Sequence, residues 1–103
     1  MNRKIASYLG FARKAGKVMS GVNTCTFGIG KGKIELVILA EDISDNSKKK
    51  IMKELRRGQV PYITHGTVQE LSQTIGQSGR SVIGICDKGF AEVILKESKE
   101  VES

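Results

Sequence analysis

The sequence predicts an α/β sandwich with helices on both faces of a small sheet. Short apolar runs typical of buried strands alternate with amphipathic segments at helical spacing, and capping residues and glycines separate them. With 103 residues and 39% hydrophobic composition, the chain is long enough for one domain with a hydrophobic core. We place that domain at residues 1–96 and expect the polar residues 97–103 to form a frayed tail.

The first predicted elements are a helix over residues 3–15 and a short extended segment, "KVMS", at residues 17–20. Gly16 is placed to end the helix, because glycine is favoured just after a helix C-terminus. Basic residues occupy the outer faces of this helix. Its apolar residues recur at helical spacing: Ile5, Tyr8, Leu9 and Ala12.

The next stretch, "SGVNTCTFGIGKGK" at residues 20–33, is rich in glycine and contains no acidic residue. It does not match a phosphate-binding loop, because its glycine–lysine spacing differs and it precedes a strand instead of following one. Val22, Cys25 and Ile29 share one helical face, which predicts a short second helix of poor intrinsic propensity. The exposed N–H groups at its start and its basic neighbours would make a good anion site.

The remainder of the chain alternates strands and helices. The predicted strands are "IELVILA" at 34–40, "VPYIT" at 60–64 and "SVIGIC" at 81–86. Ser44 or Asn46 can cap a helix after the first of these strands. Thr67 and Glu70 form a capping box for the next helix, and Asp87 is placed to cap the last one. The strand ends, where α/β sheets bind ligands, fall near residues 40–42, 64–66 and 86–89.

Positive charge is unevenly distributed along the chain. The formal net charge is +6 at pH 7, residues 1–34 contain no aspartate or glutamate, and residues 48–57 hold a second basic cluster. Any single exposed lysine is usually only solubilising. A polarised basic surface, however, is typical of proteins that bind a polyanion.

Cysteine and histidine usage argues against metal and redox sites. Cys25 and Cys86 lie far apart, there is no Cys-x-x-Cys pair, and His65 is the single histidine. We therefore expect two reduced, buried thiols, no metal and no cofactor. No apolar run is long enough to cross a bilayer, and the N-terminus lacks the features of a secretory signal, so we expect a cytoplasmic protein without a membrane partner.

Several segments of the sequence together are similar to one protein family: "GVNTCTFGIGKGKIELVILAED", without a gap, and "LGFARKAGKVMSG" and "DKGF". They resemble the kink-turn-binding ribosomal protein family, which includes the proteins called L-seven-A-e and L-thirty-e, and the last two segments are similar to its bacterial YlxQ-type members. "VPY", and "ELSQTIG" followed by a short loop and an apolar strand, are also family-like. The resemblance covers roughly residues 4–95. It implies a three-layer α/β/α sandwich with a four-stranded mixed sheet, and binding of an RNA kink-turn, a sharply bent helix–internal loop–helix.

The family's binding motif is Gly-x-Asn-Glu-x-x-Lys at the start of the second helix. The present sequence keeps Gly21 and Asn23. Thr24 stands in place of the acidic residue and Phe27 in place of the lysine, so two side chains that the resemblance expects to meet guanines are missing. Lys31 keeps a basic residue one turn further on.

The resemblance implies further contacts outside the second helix. The loop before the last strand, "GQSGRS", contributes Ser78, Gly79 and Arg80, where family members often have apolar residues. Glu41 and Asp42 match the family's position for a polar base contact. From the acid-free first third, we add two lysines expected to meet RNA: Lys14 and Lys17.

Elementary chemistry supports this placement and leaves two roles open. A bent RNA splays its groove, so side chains at a helix start can reach bases that a regular duplex hides. Gly21 allows close backbone approach, and Asn23 either offers a donor and an acceptor to a base or caps the helix. Arg80 either stacks on or pairs with RNA, or is a solvated loop residue.

We therefore interpret the chain as a monomeric, non-enzymatic RNA-binding protein, associated with structured RNA such as ribosomal RNA, and with ribosomal proteins as possible neighbours. One alternative is a protein-interaction adaptor. The other is a small enzyme that uses His65 as a general base oriented by Asp42 or Asp87, although a lone loop histidine is more often structural.

Overall fold

The computed structural model describes the backbone of residues 1–102 and the side chains of residues 1–100. Helices and strands alternate along the described chain as the sequence predicts. They are α1 (Arg3–Lys14), β1 (Val18–Ser20), α2 (Val22–Gly30), β2 (Leu36–Leu39), α3 (Asp45–Gly58), β3 (Tyr62–Thr64), α4 (Val68–Thr74), β4 (Val82–Ile85) and α5 (Lys88–Glu102).

The four strands form one mixed sheet in the order β1-β4-β2-β3. β4 pairs antiparallel with both β1 and β2, whereas β2 and β3 pair in parallel. The two central strands, β2 and β4, are buried along their whole length, which is why they read as continuous apolar runs. The predicted four-stranded mixed sheet is confirmed.

Side chains of β2 alternate between two hydrophobic cores on opposite faces of the sheet. Leu36 and Ile38 pack in the larger core, with the apolar faces of α1, α4 and α5. Val37 and Leu39 pack in the smaller core, with the apolar faces of α2 and α3. Because successive residues of a strand point to opposite faces, this alternation gives the predicted α/β/α arrangement.

Local capping signals place the helix starts correctly. Ser44, and not Asn46, caps α3 by accepting a backbone N–H at 3.3 Å. Thr67 and Glu70 form the predicted capping box of α4. Asp87 accepts a backbone N–H at 2.8 Å in the first turn of α5.

The helix α2 forms although its residues are weak helix formers. Its N-cap is Gly21, which has a φ of +95° and makes no side-chain capping bond. Tertiary packing supplies the missing stability: a Cβ on Gly28 would lie 2.7 Å from Met19 Sδ and 2.8 Å from Ile34 Cδ1, so a larger residue would have to displace these two side chains. The helix is therefore held mainly by its close approach to the sheet and to α3.

The C-terminal helix extends beyond the boundary that we drew at residue 96. It continues as far as Glu102, and residue 103 lies outside the described residues. Two features hold its residues 97 and 98 against the rest of the fold. Ser98 is buried at 6% exposure, and Asn2 Nδ2 donates a hydrogen bond to Glu97 Oε1 at 3.3 Å.

The two cysteines are free thiols with different surroundings. Cys25 is fully buried, as predicted, and burial, followed by the proximity of Cys86, raises its pKa to about 12. The expectation of a buried thiol was wrong for Cys86, which is only half-buried and directly follows the last residue of β4. Burial also raises the pKa of the Cys86 thiol.

Candidate functional site

The sheet topology brings the ends of three strands and the start of the fourth to one edge. Because β4 runs antiparallel to its neighbours, its start lies beside the ends of β1 and β2: Gly21 N–H donates to Val82 O, and Ala40 N–H to Ser81 O, both at 2.9 Å. β3 ends here as well, because it is parallel to β2. We call this edge, which carries residues 21, 40–42, 65–66 and 77–81, the α2 edge.

The third strand end that we predicted does not lie at the α2 edge. Residues 86–89 follow β4 and therefore fall at the opposite edge of the sheet. The sequence indicated the strand but not its direction. Direction depends on pairing between distant segments, which no local pattern encodes.

The start of α2 and the loop before β4 meet through Gly21 and Arg80. Gly21 has a φ of +95° and a ψ of 151°, a conformation that is essentially restricted to glycine. A Cβ at this position would lie 3.1 Å from Arg80 Nη1, so the guanidinium lies against the helix start. Arg80 Nε is buried and has no hydrogen-bond partner among the described residues. The structure thus brings together the two elements that the sequence identified separately.

Ser72 holds this loop in place, a role that we did not predict. Its side chain is 3% exposed, and its Oγ accepts the Arg80 N–H at 2.8 Å and donates to the Arg80 carbonyl at 3.3 Å. The one sequence signal was a serine on the inward face of α4, next to Leu71. Ser78 and Gly79 are exposed at the tip of the loop, and Gly79 has a φ of +67°.

Asn23 is exposed in the first turn of α2 and does not cap it. Gly21 occupies the N-cap position, and no side chain makes a capping bond there. Asn23 Oδ1 instead accepts from Lys50 Nζ of α3 at 3.4 Å. This excludes the capping role that the sequence left open for Asn23. Thr24, beside it, is also exposed.

Phe27 lies one turn further along the same face of α2 and is 55% exposed. Lys31 Nζ and Lys33 Nζ lie 5.7 Å and 6.0 Å from the centroid of its ring. Positive charge therefore surrounds the position at which the family has a lysine. Together, Asn23, Phe27 and Lys31 form an exposed stripe along the helix.

Glu41 and Asp42 are exposed at the α2 edge, directly after the buried end of β2. Asp42 Oδ1 accepts the Val68 N–H at 2.8 Å and so caps α4 in addition to Thr67. One carboxylate oxygen of Asp42 is thus committed to the fold. The Glu41 backbone N–H donates to Gly66 O at 2.7 Å, and its side chain remains at the surface.

Lys14 and Lys17 are not brought to this cluster. Lys17 O accepts the Cys86 N–H at 2.8 Å, which places Lys17 at the opposite edge of the sheet. Lys14 ends α1 just before it. Both residues are exposed, and β1, about 10 Å long, separates them from the start of α2.

The contacts of His65 indicate a structural role. Its Nε2 accepts the Asn2 backbone N–H at 3.1 Å, and burial, followed by the nearby N-terminal ammonium, lowers the pKa of the imidazole. Asp42 and Asp87, the carboxylates expected to orient it, each accept a helix N-terminal N–H instead. The hydrogen bonds of His65 and of these two carboxylates are thus bonds to backbone N–H groups, which indicates structural roles.

The described part of the chain contains neither a membrane-spanning helix nor a cluster of metal ligands. No helix within residues 1–102 is long and apolar enough to cross a membrane. No three side chains of histidine, cysteine, aspartate or glutamate come together in residues 1–100 as a group able to hold a metal ion.

The comparisons of this sequence with known proteins agree on one family. The pattern of the ribosomal protein L7Ae/L30e/S12e/Gadd45 family matches residues 3–95. RNA-binding protein YlxQ of Bacillus subtilis (strain 168) is 34% identical over 87 residues, which cover 84% of this chain and 87% of the relative. RNA-binding protein YlxQ of Enterococcus faecium is 34% identical over 99 residues, which cover 96% of this chain and 91% of the relative.

Solved structures agree with the sequence comparison. A protein of unknown function from Bacillus halodurans superposes with a TM-score of 0.89 at 31% identity, over 95% of this chain and 99% of the other. The Giardia lamblia 15.5kD RNA binding protein superposes with a TM-score of 0.75 at 21% identity, over 99% and 91%, a likeness of fold alone. From the match over residues 3–95 and the two relatives at 34% identity, the chain belongs to the ribosomal protein L7Ae/L30e/S12e/Gadd45 family.

Proposed function

We propose that this chain is a non-enzymatic RNA-binding protein that recognises a kink-turn, or a similarly bent RNA, through the α2 edge. The observation that carries the proposal is the contact between Arg80 and Gly21, which joins a guanidinium to the exposed start of α2. Support also comes from relatives that are named RNA-binding proteins. We further propose that the protein acts as a cytoplasmic monomer, on ribosomal or other structured RNA.

The start of α2 suits both parts of a nucleotide. Free backbone N–H groups and the helix dipole favour a phosphate at this position. The Asn23 side chain offers a donor and an acceptor, which suits the edge of a base that a bend has opened. Because Gly21 lacks a side chain, RNA can approach the backbone closely.

Basic side chains surround this helix start on several sides. Arg80 lies against it from the loop before β4, and Lys50 reaches Asn23 from α3. Lys31 and Lys33 lie beyond Phe27. These charges can neutralise phosphates on both sides of a bent RNA, and binding should therefore weaken with salt.

Thr24 and Phe27 change the contacts available to a kink-turn without changing the fold. Both positions are exposed, so neither substitution disturbs a core. Thr24 does not supply the carboxylate that the family's acidic residue has at this position. The lysines beside Phe27 keep positive charge near the family's lysine position.

The test is a binding titration of the full chain against a kink-turn RNA and a straight duplex of equal length, at several salt concentrations. We expect tighter binding of the kink-turn, and a log–log salt slope of about −0.7 to −0.9 for each phosphate contacted. Asn23→Asp should weaken kink-turn binding about tenfold or more, because it removes an amide donor and adds a negative charge beside RNA. It should not destabilise α2, since an acidic side chain is favourable in a first helical turn.

The matched control is Gln59→Glu, which makes the same amide-to-acid change at the far end of α3, in an exposed residue. Its effect on kink-turn affinity should be small. If the wild-type protein bound duplex and kink-turn equally well, the kink-turn would be excluded. If it bound neither RNA, the RNA-binding proposal itself would fail.

The adaptor alternative has one observation in its favour. An apolar groove runs between α1 and α5, lined by Tyr8, Phe11, Phe90 and Val93, and Phe11 is 57% exposed. This groove lies on the sheet face opposite α2. Stable co-purification with a protein, together with no RNA binding, would favour the adaptor.

A further inference from the structure

Phe27 is a large apolar side chain left more than half exposed on a helix that faces solvent. Its ring is 55% exposed, whereas the neighbouring apolar residues Cys25 and Ile29 are buried. A single exposed phenylalanine needs no explanation by itself. The exposure of Phe27 does call for an explanation, because positive charge is concentrated around its flat apolar ring.

Two ammonium groups lie near the ring without covering it. Lys31 Nζ is 5.7 Å and Lys33 Nζ is 6.0 Å from the ring centroid, at the outer limit of cation–π attraction. At such distances the ring face stays accessible, in keeping with its exposure. Both lysines can turn from the ring to an anion at little cost, because exposed cation–π contacts are weak.

The chemistry of this patch fits a nucleotide better than it fits an apolar protein surface. An apolar partner would have to desolvate two ammonium groups that lie about 6 Å from the ring centroid, which is unfavourable. A nucleotide instead supplies a flat π-face for the ring and a phosphate for each nearby cation. Aromatic rings flanked by positive charge are the usual means of holding unpaired bases.

The position of Phe27 fits the binding mode of the α2 edge. Asn23 and Phe27 are four residues apart, on one face of α2 and about 6 Å apart along its axis. An RNA loop whose base contacts Asn23 therefore passes within reach of the Phe27 ring.

We propose that Phe27, with Lys31 and Lys33, forms a stacking subsite for an unpaired base of the bound RNA. The inference rests on the proposed RNA-binding function and deepens it. The subsite stands where the family motif has a lysine, so it replaces a polar base contact by a stacking contact. It would make the protein prefer RNA with an unpaired nucleotide next to the bend.

The absence of tryptophan from the chain gives a direct optical test. Phe27→Trp introduces a single reporter at the subsite, and Phe11→Trp introduces one at a matched site, 57% exposed, on the opposite face of the sheet. With a kink-turn RNA as the probe, stacking should quench the emission of Phe27→Trp and leave that of Phe11→Trp unchanged. The affinity of Phe27→Trp should stay within a few-fold of the wild type, because tryptophan also stacks.

Affinity measurements with Phe27→Leu complete the test. Leucine keeps an apolar side chain but removes the π-face, and we expect the Kd for the kink-turn to rise by roughly 5- to 150-fold, the usual value of a base–aromatic stack. Phe11→Leu should leave the Kd unchanged. Replacing the unpaired loop nucleotides by abasic residues, one at a time, should identify one whose loss weakens the wild type but not Phe27→Leu.

The outcomes separate this inference from the function on which it rests. If the wild type bound the kink-turn while Phe27→Leu bound it equally well, the stacking subsite would be refuted and the RNA-binding function would stand. Two other results would also refute the stacking subsite. One is an equal loss of kink-turn affinity in Phe27→Leu and Phe11→Leu. The other is an equal loss of affinity from every abasic position, in the wild type and in Phe27→Leu alike. If the wild type bound no RNA, both ideas would fall together.

Discussion

Replacing Ser72 by alanine should release the loop that carries Arg80 from its hydrogen bonds to α4. The Ser72 hydroxyl is buried at 3% exposure and bonds both the N–H and the carbonyl of Arg80, at 2.8 Å and 3.3 Å. Ser72→Ala leaves both backbone groups without this partner. An unsatisfied buried donor or acceptor costs about 1–3 kcal/mol, and Arg80 is only partly buried, so we expect the lower half of that range.

In a domain of this size, each kcal/mol lowers the Tm by about 4–8 °C, so thermal unfolding followed by circular dichroism resolves the effect. The same variant should bind kink-turn RNA more weakly, because the guanidinium is no longer held against Gly21. Thr74→Val is the matched control: the Thr74 hydroxyl bonds the Glu70 carbonyl within α4 and ties nothing to the loop. A Tm of Ser72→Ala equal to that of Thr74→Val, with unchanged RNA affinity, would refute the reasoning.

Two further predictions concern the titratable groups. In the native protein a thiol reagent should label Cys86 alone, because Cys25 is fully buried with a pKa raised to about 12. Rapid native labelling of Cys25, read by mass spectrometry of Cys86→Ser, would contradict this. The imidazole of His65, the only histidine, should titrate below 6.5, so the folded state takes up a proton at lower pH than the unfolded chain. Its contribution to stability is complete above pH 6.5 and is lost as the pH falls; an NMR titration midpoint at or above 6.5 would overturn this.

Local signals and tertiary contacts account for what the sequence could and could not predict. The caps at Ser44, Thr67 and Asp87 were predictable because each depends on a few neighbouring residues. The site residues at Gly21 and Arg80 were found through the resemblance, but their contact depends on the antiparallel pairing of β1 and β4.

The remaining differences between the sequence predictions and the structure also arise from contacts between distant segments. The bond from Lys50 to Asn23 and the support of the loop by Ser72 join segments that no sequence period relates. Lys17 was assigned to the site by charge alone, yet its carbonyl bonds Cys86 at the opposite edge. Charge density along a chain does not indicate on which end of a strand the charge will lie.

The backbone bonds that build the α2 edge have a consequence for how recognition can diversify. Gly21 is anchored to Val82, and Ala40 to Ser81, through main-chain groups that every residue type except proline supplies. The positions that face outward from these anchors, Asn23 and Phe27 among them, contribute nothing to either core. Their identity is therefore free of the constraint of folding. One scaffold can therefore exchange the side chains that it presents at this surface with little effect on either core.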